Sequence, residues 1–357
     1  MSSADGMNYA PRGKAEPVCE ECEFRFAAIG LDHGHVFGMS TCLADAGAEA
    51  AAVYDRDPAK VQAFSRLFPG ARVARCEAEI LEDRSIQMVA SAAITAERGP
   101  LGLRVLDHGK HYFSDKAPFT TLEQLKKARA KVAEAKLKWA VCYSERVQNE
   151  AAVFAGQLID AGAVGRVLQV MGTGPHRLDA PSRPGWFFRR ASYGGILCDI
   201  GSHQVEQFLH FANVESARVV HSQVANFNHP QHPELEDFGD AVLVGDNGAT
   251  NYFRVDWFTP DGLDVWGDGR TFILGTEGYI ELRKYIDLGH SLVGNQVYLV
   301  NGEGTRHYSA EGQTGFPYFG ELILDCLESS EKAMTQEHTF LAAQLSLQAQ
   351  ARAARIK

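Results

Sequence analysis

A lysine and an aspartate–histidine pair are the residues of this chain whose types and positions best suit catalysis. Lys116 comes directly after Asp115 and the apolar run His111–Ser114, which is typical of a buried strand. A lysine at the carboxyl end of such a strand points into the crevice where open α/β sheets bind ligands. A solvated surface lysine is the competing interpretation, and the surrounding elements decide between the two.

Asp199 and His203 lie four residues apart in the segment Cys198–Phe211, which is predicted to be helical. Both side chains would then share one face of the helix. An aspartate beside an imidazole orients the ring and stabilises its protonated form. Histidine, with an unperturbed pKa of about 6.5, is suited to accepting a hydroxyl proton near neutral pH. A surface pair or a metal pair is the alternative. The segment offers no third ligand, and we expect no metal site.

Short apolar runs alternate with helical patterns from Phe24 to Tyr143. The predicted strands are 24–30, 50–54, 88–94, 111–114 and 139–143, and the predicted helices are 35–47, 58–68, 101–108 and 121–136, the last capped by Thr120. This alternation is typical of a parallel, doubly wound sheet.

The pattern changes after Asn149. A helix (151–161) and a strand (167–173) precede a loop (176–190), several strands follow between 217 and 307, and two helices (317–329 and 337–355) end the chain. The turns Asp246-Asn247-Gly248 and Asn301-Gly302 indicate hairpins. We predict an α/β protein with a flexible tail (1–23), a Rossmann dinucleotide-binding domain (24–145) and an α+β domain (146–357). The last domain has a large, mostly antiparallel open sheet for substrate binding and oligomerisation.

The segment after the first strand resembles a cofactor loop in its geometry but not in its full pattern. A dinucleotide fold needs a tight turn here, followed by backbone N–H groups at a helix N-terminus that face the pyrophosphate. Gly30 and Gly34 serve that geometry, but Asp32 and His35 occupy the positions of the second and third glycines of G-x-G-x-x-G. A carboxylate beside pyrophosphate is repulsive, so Asp32 must point away or cap the helix.

Asp55 ends the second predicted strand, where an acid would bind the ribose hydroxyls of the cofactor. An ordinary turn aspartate is the alternative. Asp55 disfavours a 2′-phosphate by repulsion whereas Arg56 would favour one. We therefore expect NAD and leave NADP open.

The chain resembles the Gfo/Idh/MocA family, the relatives of glucose–fructose oxidoreductase and inositol dehydrogenase, over Phe24–Pro118 and again over Gly194–His203. The family's lysine–proline signature, usually Glu-Lys-Pro, stands here as Asp115-Lys116-Ala117-Pro118. A second signature, Gly-Gly followed by aspartate and by histidine four residues later, matches at Gly194-Gly195 with Asp199 and His203. The resemblance implies an NAD(P)-dependent dehydrogenase of a sugar, polyol or sugar acid, with Lys116, Asp199 and His203 as its catalytic set.

One departure concerns the nicotinamide side, where the family often has Thr-Pro-Asn-x-x-His. This chain has Thr95-Ala96-Glu97-Arg98 after Ala93-Ile94, so that Arg98 replaces the histidine. The predicted cofactor contacts are Gly30, Asp32, His33, Gly34, His35, Asp55, Arg56, Thr95, Arg98 and Lys116.

The loop His176–Arg190 is dense in arginine and aromatic residues, which suits an oxygen-rich substrate. Arginine binds carboxylates through two parallel hydrogen bonds, which favours a sugar acid. Trp186 could stack on a sugar or pack internally, and Arg146 could reach the substrate or pair with Glu145 or Glu150. The predicted substrate contacts are Lys116, Arg146, His176, Arg177, Arg183, Trp186, Asp199 and His203.

Bulk properties exclude several classes of protein. The net charge of -10 argues against nucleic acid or an anionic membrane as partner, and no apolar window is long enough to span a bilayer. Seven scattered cysteines fit reduced thiols in a cytoplasmic protein. We expect a sugar-like substrate and a homodimer or homotetramer. An NAD-dependent hydrolase or epimerase with transient oxidation, and a non-catalytic ligand sensor, are the alternative functions.

Overall fold

Fifteen strands and twelve α-helices follow one another in the computed structural model, which describes residues 7, 11 and 13–356. The strands are β1 Arg25–Ile29, β2 Glu49–Tyr54, β3 Arg72–Val73, β4 Met88–Ser91, β5 His111–Asp115, β6 Trp139–Cys142, β7 Val167–Pro175, β8 Ala217–Ala225, β9 Phe238–Gly245, β10 Thr250–Asp256, β11 Arg270–Gly275, β12 Gly278–Arg283, β13 Gln296–Asn301, β14 Gly304–Ser309 and β15 Ala354–Arg355. The helices are α1 His35–Asp45, α2 Pro58–Leu67, α3 Glu77–Leu81, α4 Thr95–Asp107, α5 Leu122–Ala135, α6 Ser144–Val147, α7 Glu150–Asp160, α8 Arg190–Tyr193, α9 Ile196–Asp199, α10 Gly201–Phe211, α11 Pro317–Glu328 and α12 Gln336–Arg352. Along this described part of the chain, no helix combines the length and apolar character that a membrane span needs.

These elements form two units. The first contains the described residues up to Cys142 together with Gly315–Phe340, and the second contains Tyr143–Thr314 and the described residues from Leu341 onward. The predicted division placed everything after residue 145 in the second domain. Gly315–Phe340 instead belongs to the first unit, where the rings of Tyr318 and Phe319 lie 6.3 and 5.9 Å from that of Phe113.

The first unit is built on a six-stranded sheet in the order β3-β2-β1-β4-β5-β6, in which every pair is parallel. This strand order is that of a doubly wound dinucleotide-binding sheet, and it confirms the predicted fold class. Val36 of α1 and Phe64 of α2 are fully buried in an apolar cluster with Ala28 and Val53 of the sheet. That cluster holds the start of α1 against the carboxyl ends of β1 and β2.

Helix α4 begins at Thr95, six residues before the predicted start, and contains Pro100 in its interior. A proline leaves the carbonyl four residues before it without its helical hydrogen bond. Here the side chain of Gln124 donates to that carbonyl, on Ala96, at 3.0 Å. The cap of α5 also differs from the prediction, since Thr121 rather than Thr120 accepts the N–H of Gln124.

The second unit carries a nine-stranded sheet in the order β14-β13-β12-β11-β7-β10-β9-β8-β15. Its pairs are antiparallel except β7 with β10 and β8 with β15, which confirms a mostly antiparallel sheet. The turns at Asp246-Asn247-Gly248 and Asn301-Gly302 join the antiparallel pairs β9–β10 and β13–β14, as predicted. The residues of strand β14 are polar and largely exposed.

Two segments differ from their predicted form. The helix expected over Cys198–Phe211 consists of α9 and α10, separated by Ile200, whose backbone stays helical (φ -85°, ψ -39°). Within the expected flexible tail, Val18 donates to the carbonyl of Ala46 at 3.0 Å, and the N–H of Phe316 donates to the carbonyl of Lys14 at 2.9 Å. Residues 13–23 are therefore held against the first unit, and the rest of that expected tail lies outside the described residues except 7 and 11.

Candidate active-site residues

Lys116 lies immediately beyond β5, as predicted, and is buried, with only 5% of its surface exposed. The preceding Asp115 is fully buried. Its carboxylate also accepts the backbone N–H of Lys116 at 2.8 Å. The lysine is therefore a buried residue at the carboxyl edge of a parallel sheet, and the surface interpretation is wrong.

Arg98 explains how the backbone around Lys116 is held. Its guanidinium, 1% exposed, donates to the carbonyls of Ala93 at 2.7 Å and Ala117 at 3.1 Å, and also to that of Lys116. A nitrogen of the same group lies 3.0 Å from Asp115. The rigid fork of arginine suits such simultaneous contacts. Sequence reasoning placed Arg98 against the cofactor, whereas its donors are directed to the protein and connect the segments after β4 and β5.

Two histidines of the loop before α1 lie beside Asp115. The Nδ1 atom of His35 lies 2.9 Å from one carboxylate oxygen of Asp115, and that of His33 lies 3.9 Å from the other. Burial alone would raise the pKa of Asp115, but His35 and Arg98 hold it well below its usual value. Burial, reinforced by His35, lowers the pKa of His33 well below its usual value. His33 is therefore neutral, and its Nδ1 accepts the N–H of His35 at 3.2 Å.

This group is also where a metal ion could be held, because ligand atoms of His33, His35 and Asp115 lie within 4.8 Å of one another. Two histidines and a carboxylate are a donor set that transition metals accept. The guanidinium of Arg98 competes for the same carboxylate, and the N–H of His35 competes for the ring nitrogen of His33. Both contacts favour the hydrogen-bonded network over a metal centre.

The β1–α1 loop resolves the difficulty that Asp32 raised. Gly30 adopts a φ of +74°, a left-handed conformation that suits glycine. The carboxylate of Asp32 accepts from Lys60 at 2.6 Å and from the N–H of Ile94 at 3.2 Å. Burial lowers the pKa of Lys60, but its hydrogen bond to Asp32 and the negative charges of Asp32, Asp55 and Asp57 together outweigh burial and raise the pKa, so the lysine stays charged. Lys60 thus balances the charge of Asp32, which removes the repulsion expected between this carboxylate and a pyrophosphate.

Asp55 follows β2 and is partly exposed, while Arg56 is exposed. One oxygen of Asp55 accepts the N–H of Leu31 at 2.6 Å, and the other accepts the N–H of Asp57 at 2.8 Å. The carboxylate therefore ties the β1–α1 loop to the end of β2. Each oxygen retains an acceptor site, so the position still fits the ribose hydroxyls of a dinucleotide.

In the second unit, His203 lies in the first turn of α10 and is 2% exposed, whereas Asp199, the last residue of α9, is partly exposed. Gly194 and Gly195 precede them with φ of +90° and +95°, and a side chain at Gly195 would overlap Gln350. The glycine pair of the second signature therefore has a backbone function, namely the turn that leads into α9.

Glu145, which sequence reasoning considered only as a partner of Arg146, is one of several buried acids of this unit. Its Oε2 accepts from Lys284 at 2.9 Å and from Gln204 at 2.9 Å. Arg146 instead donates to Glu206 at 2.6 Å. Adjacent residues on a helix do not face each other, so an ion pair between Glu145 and Arg146 is disfavoured by helix geometry alone.

The predicted substrate loop uses its arginines internally. Arg177 donates to the carbonyl of Pro260 at 2.9 Å, and Arg183 donates to that of Leu178 at 2.8 Å. Trp186 is 9% exposed and packs edge-on against Phe187. His176 is partly exposed, with its ring 4.3 Å from that of Trp266. Of this set, His176 is the residue with both an exposed fraction and a titratable ring.

Comparisons with known proteins agree with this geometry. Residues 24–143 match the model of the oxidoreductase family with an NAD-binding Rossmann fold, and residues 153–281 match that of the GFO/IDH/MocA C-terminal domain. A candidate oxidoreductase from Erwinia carotovora atroseptica SCRI1043 is 52% identical, with a TM-score of 0.91 over 94% of this chain and 100% of that chain.

Two further relatives are more distant. Scyllo-inositol 2-dehydrogenase (NAD(+)) of Bacillus subtilis (strain 168) is 26% identical over 268 residues, which are 73% of this chain and 74% of that protein. Aldose-aldose oxidoreductase from Caulobacter crescentus, solved with glycerol, shares the fold at 19% identity and a TM-score of 0.74, over 93% of this chain and 97% of that one. With both domain models matched in order along one chain, this protein belongs to the Gfo/Idh/MocA family and is an NAD-binding oxidoreductase.

Proposed function

We propose that this oxidoreductase oxidises a hydroxyl carbon of a sugar, polyol or sugar acid, with NAD preferred over NADP. The observation that carries the proposal is the buried Lys116 at the carboxyl end of β5, with its backbone held by Arg98. A relative that acts on inositol and a structural neighbour that acts on aldoses support a polyhydroxylated substrate. When bound, the nicotinamide ring supplies the hydride chemistry.

The protein's own residues would supply position and charge. His203 accepts the proton of the substrate hydroxyl, and Asp199 orients its ring. Lys116 donates a hydrogen bond to the reacting oxygen, which places that oxygen and stabilises the negative charge that develops on it. These roles follow from the matched signatures. The cytoplasmic location and the homo-oligomeric state stay predictions.

The experiment is a screen of the purified protein against sugars, polyols and sugar acids, with absorbance of the reduced cofactor as the readout. On the best substrate, Lys116→Ala should bind NAD normally and lose about 10²–10³ in kcat, the cost of removing one transition-state donor. Lys126→Ala, at an exposed position of α5, is the matched control. His203→Asn should abolish the pH-dependent limb of kcat/KM near neutrality, with exposed His221→Asn as its control.

Folded Lys116→Ala protein with a wild-type kcat would remove the lysine from the mechanism. Tightly retained NAD with product formed but no net NADH would transfer the proposal to an epimerase or hydrolase. Cofactor binding without turnover on any compound of the panel would favour a ligand sensor.

A further inference from the structure

Glu145 is a buried carboxylate that accepts a hydrogen bond from Gln204, the residue after the histidine to which the proposed function assigns the proton. It lies in α6 and is 2% exposed. We propose that Glu145 is a positioning residue for His203, which fixes the helical turn that carries the ring and stabilises its imidazolium form. This inference rests on the proposed function only for its catalytic consequence, because the effect on the ring can be measured without turnover.

The hydrogen bonds connect Glu145 to the turn of α10 around His203. Gln204, the next residue, donates to Oε2 of Glu145 at 2.9 Å. The side chain of Gln207 donates to the carbonyl of His203 at 3.0 Å and lies 3.5 Å from the same Oε2. Two amides from the histidine's own helix therefore converge on one carboxylate oxygen, and a shift of that oxygen would shift the turn.

The carboxylate of Glu145 and the ring of His203 interact electrostatically. Burial would raise the pKa of Glu145, but Lys284, His203 and His176 together hold it at about 2, so it is ionised at neutral pH. The neighbouring Arg146 and Glu206 form their own ion pair and add no net charge. The ammonium of Lys284 balances the carboxylate of Glu145, so removal of either member of this pair changes the net charge that the ring of His203 faces.

One oxygen of Glu145 remains available for that role. Oε2 accepts from Lys284 and the glutamines, whereas Oε1 is buried and has no hydrogen-bond partner in the described part of the chain. An unsatisfied buried carboxylate oxygen costs free energy unless a donor or a positive charge lies near it. Asp199, the acid that the family signature suggests for this role, is partly exposed and therefore more strongly screened by water.

The alternative is that Glu145 serves only as the partner of Lys284, which is 0% exposed. The two interpretations predict different effects of two substitutions on the protonation of His203. Removing the carboxylate charge with Glu145→Gln should make His203 harder to protonate, whereas removing the cation with Lys284→Met should make it easier. A purely structural pair would leave the ring's titration unchanged in both variants.

The experiment follows the imidazole signals of full-length protein by NMR as the pH is varied, with His203→Asn to identify the signal of His203 among thirteen histidines. We expect Glu145→Gln to move the midpoint of His203 to lower pH by about 1–3 units, the usual effect of an opposite charge at close range. Lys284→Met should move it to higher pH. Exposed His221 serves as the internal reference and should not move.

Each single variant leaves one buried charge without its partner, which can prevent folding. The double variant Glu145→Gln/Lys284→Met leaves no unpaired charge of this pair, and its midpoint should lie between those of the two single variants. If either single variant fails to fold, the midpoint of His203 is compared among the wild type, the other single variant and the double variant. Midpoints that stay at the wild-type value, or that move in the same direction in both single variants, would overturn the inference.

The outcome is separable from that of the proposed function. Opposite shifts in a protein that oxidises no compound of the panel would support the role of Glu145 and reject the dehydrogenase. Turnover in a protein that lacks these shifts would support the dehydrogenase and reject the role of Glu145.

Discussion

Replacement of Arg98 by methionine should loosen the segment that carries Lys116 without unfolding the second unit. Methionine approximates the length of the arginine stem and removes the charge and every donor. The variant would lose hydrogen bonds to the carbonyls of Ala93 and Ala117, and the ion pair with Asp115 at 3.0 Å. His35, at 2.9 Å, would be left as the nearest side-chain partner of a fully buried carboxylate.

The size of the effect follows from the burial of both partners. Removing one member of a buried ion pair costs about 3–5 kcal/mol, because the other charge is left without compensation. A free-energy loss of 3 kcal/mol corresponds to an opening equilibrium about 100-fold more favourable. Asp115 has a depressed pKa, so it stabilises the fold above its unfolded value of about 3.9 and this stabilisation is lost as the pH falls below that value. Measurements at neutral pH therefore include the whole contribution.

Hydrogen exchange followed by mass spectrometry measures the opening of this segment separately from the rest of the protein. A local measurement is needed because a chain of two units need not unfold in one step. Peptides that cover β4 and β5 should exchange about 100-fold faster in Arg98→Met, whereas peptides from β9 and β10 serve as the internal control. Arg98→Lys keeps the charge but loses the planar guanidinium, so its exchange rate in these peptides should lie between those of the wild type and Arg98→Met. Protection of β5 in Arg98→Met within a fewfold of wild type would refute the reasoning that Arg98 holds this segment.

Three further predictions concern the cofactor and the assembly. Lys60→Met should expose the charge of Asp32 to the pyrophosphate and weaken NAD binding about tenfold, or about 1.4 kcal/mol; an unchanged Kd by calorimetry would show that Asp32 does not face the phosphates. Asp55→Asn keeps an acceptor for the loop but loses the charge, so Arg56 should shift preference toward NADP in fluorescence titrations; tighter NADP binding by the wild type would contradict this role. The exposed Tyr252 of β10 should lie in a subunit interface, so light scattering should give a multiple of 39.1 kDa and Tyr252→Glu should dissociate the oligomer; a monomer for the wild type would reject the interface.

The elements around Lys116 could be predicted because the information is local. An apolar run that ends in Asp115 marks a buried strand, and the alternation of strands and helices determines that the strand is parallel. Helix α4 was placed too late because Pro100 indicates a break, and the hydrogen bond from Gln124 that compensates for it comes from another helix. Such a compensating contact has no signature in the segment itself.

The partners of the charged residues could not be predicted for the same physical reason. Asp32 pairs with Lys60, 28 residues away, and Glu145 pairs with Lys284, 139 residues away. Sequence reasoning weighs neighbours along the chain, whereas a buried charge is satisfied by whichever opposite charge the packing brings near. The adjacent Arg146 was therefore the natural but incorrect partner to consider for Glu145.

The departures from the glycine pattern have a common explanation in these long-range contacts. Asp32 would repel a pyrophosphate if it stood alone. The ammonium of Lys60 balances its charge, and the backbone N–H of Ile94, just after β4, donates to its other carboxylate oxygen. His35 replaces a glycine that would let the helix approach the sheet, and its ring instead binds Asp115 at the end of β5. Through Asp115 and Arg98, the cofactor loop is connected to the backbone of Lys116. The substitutions therefore do not abolish a dinucleotide site; they connect its loop by hydrogen bonds to the residue proposed to bind the reacting oxygen.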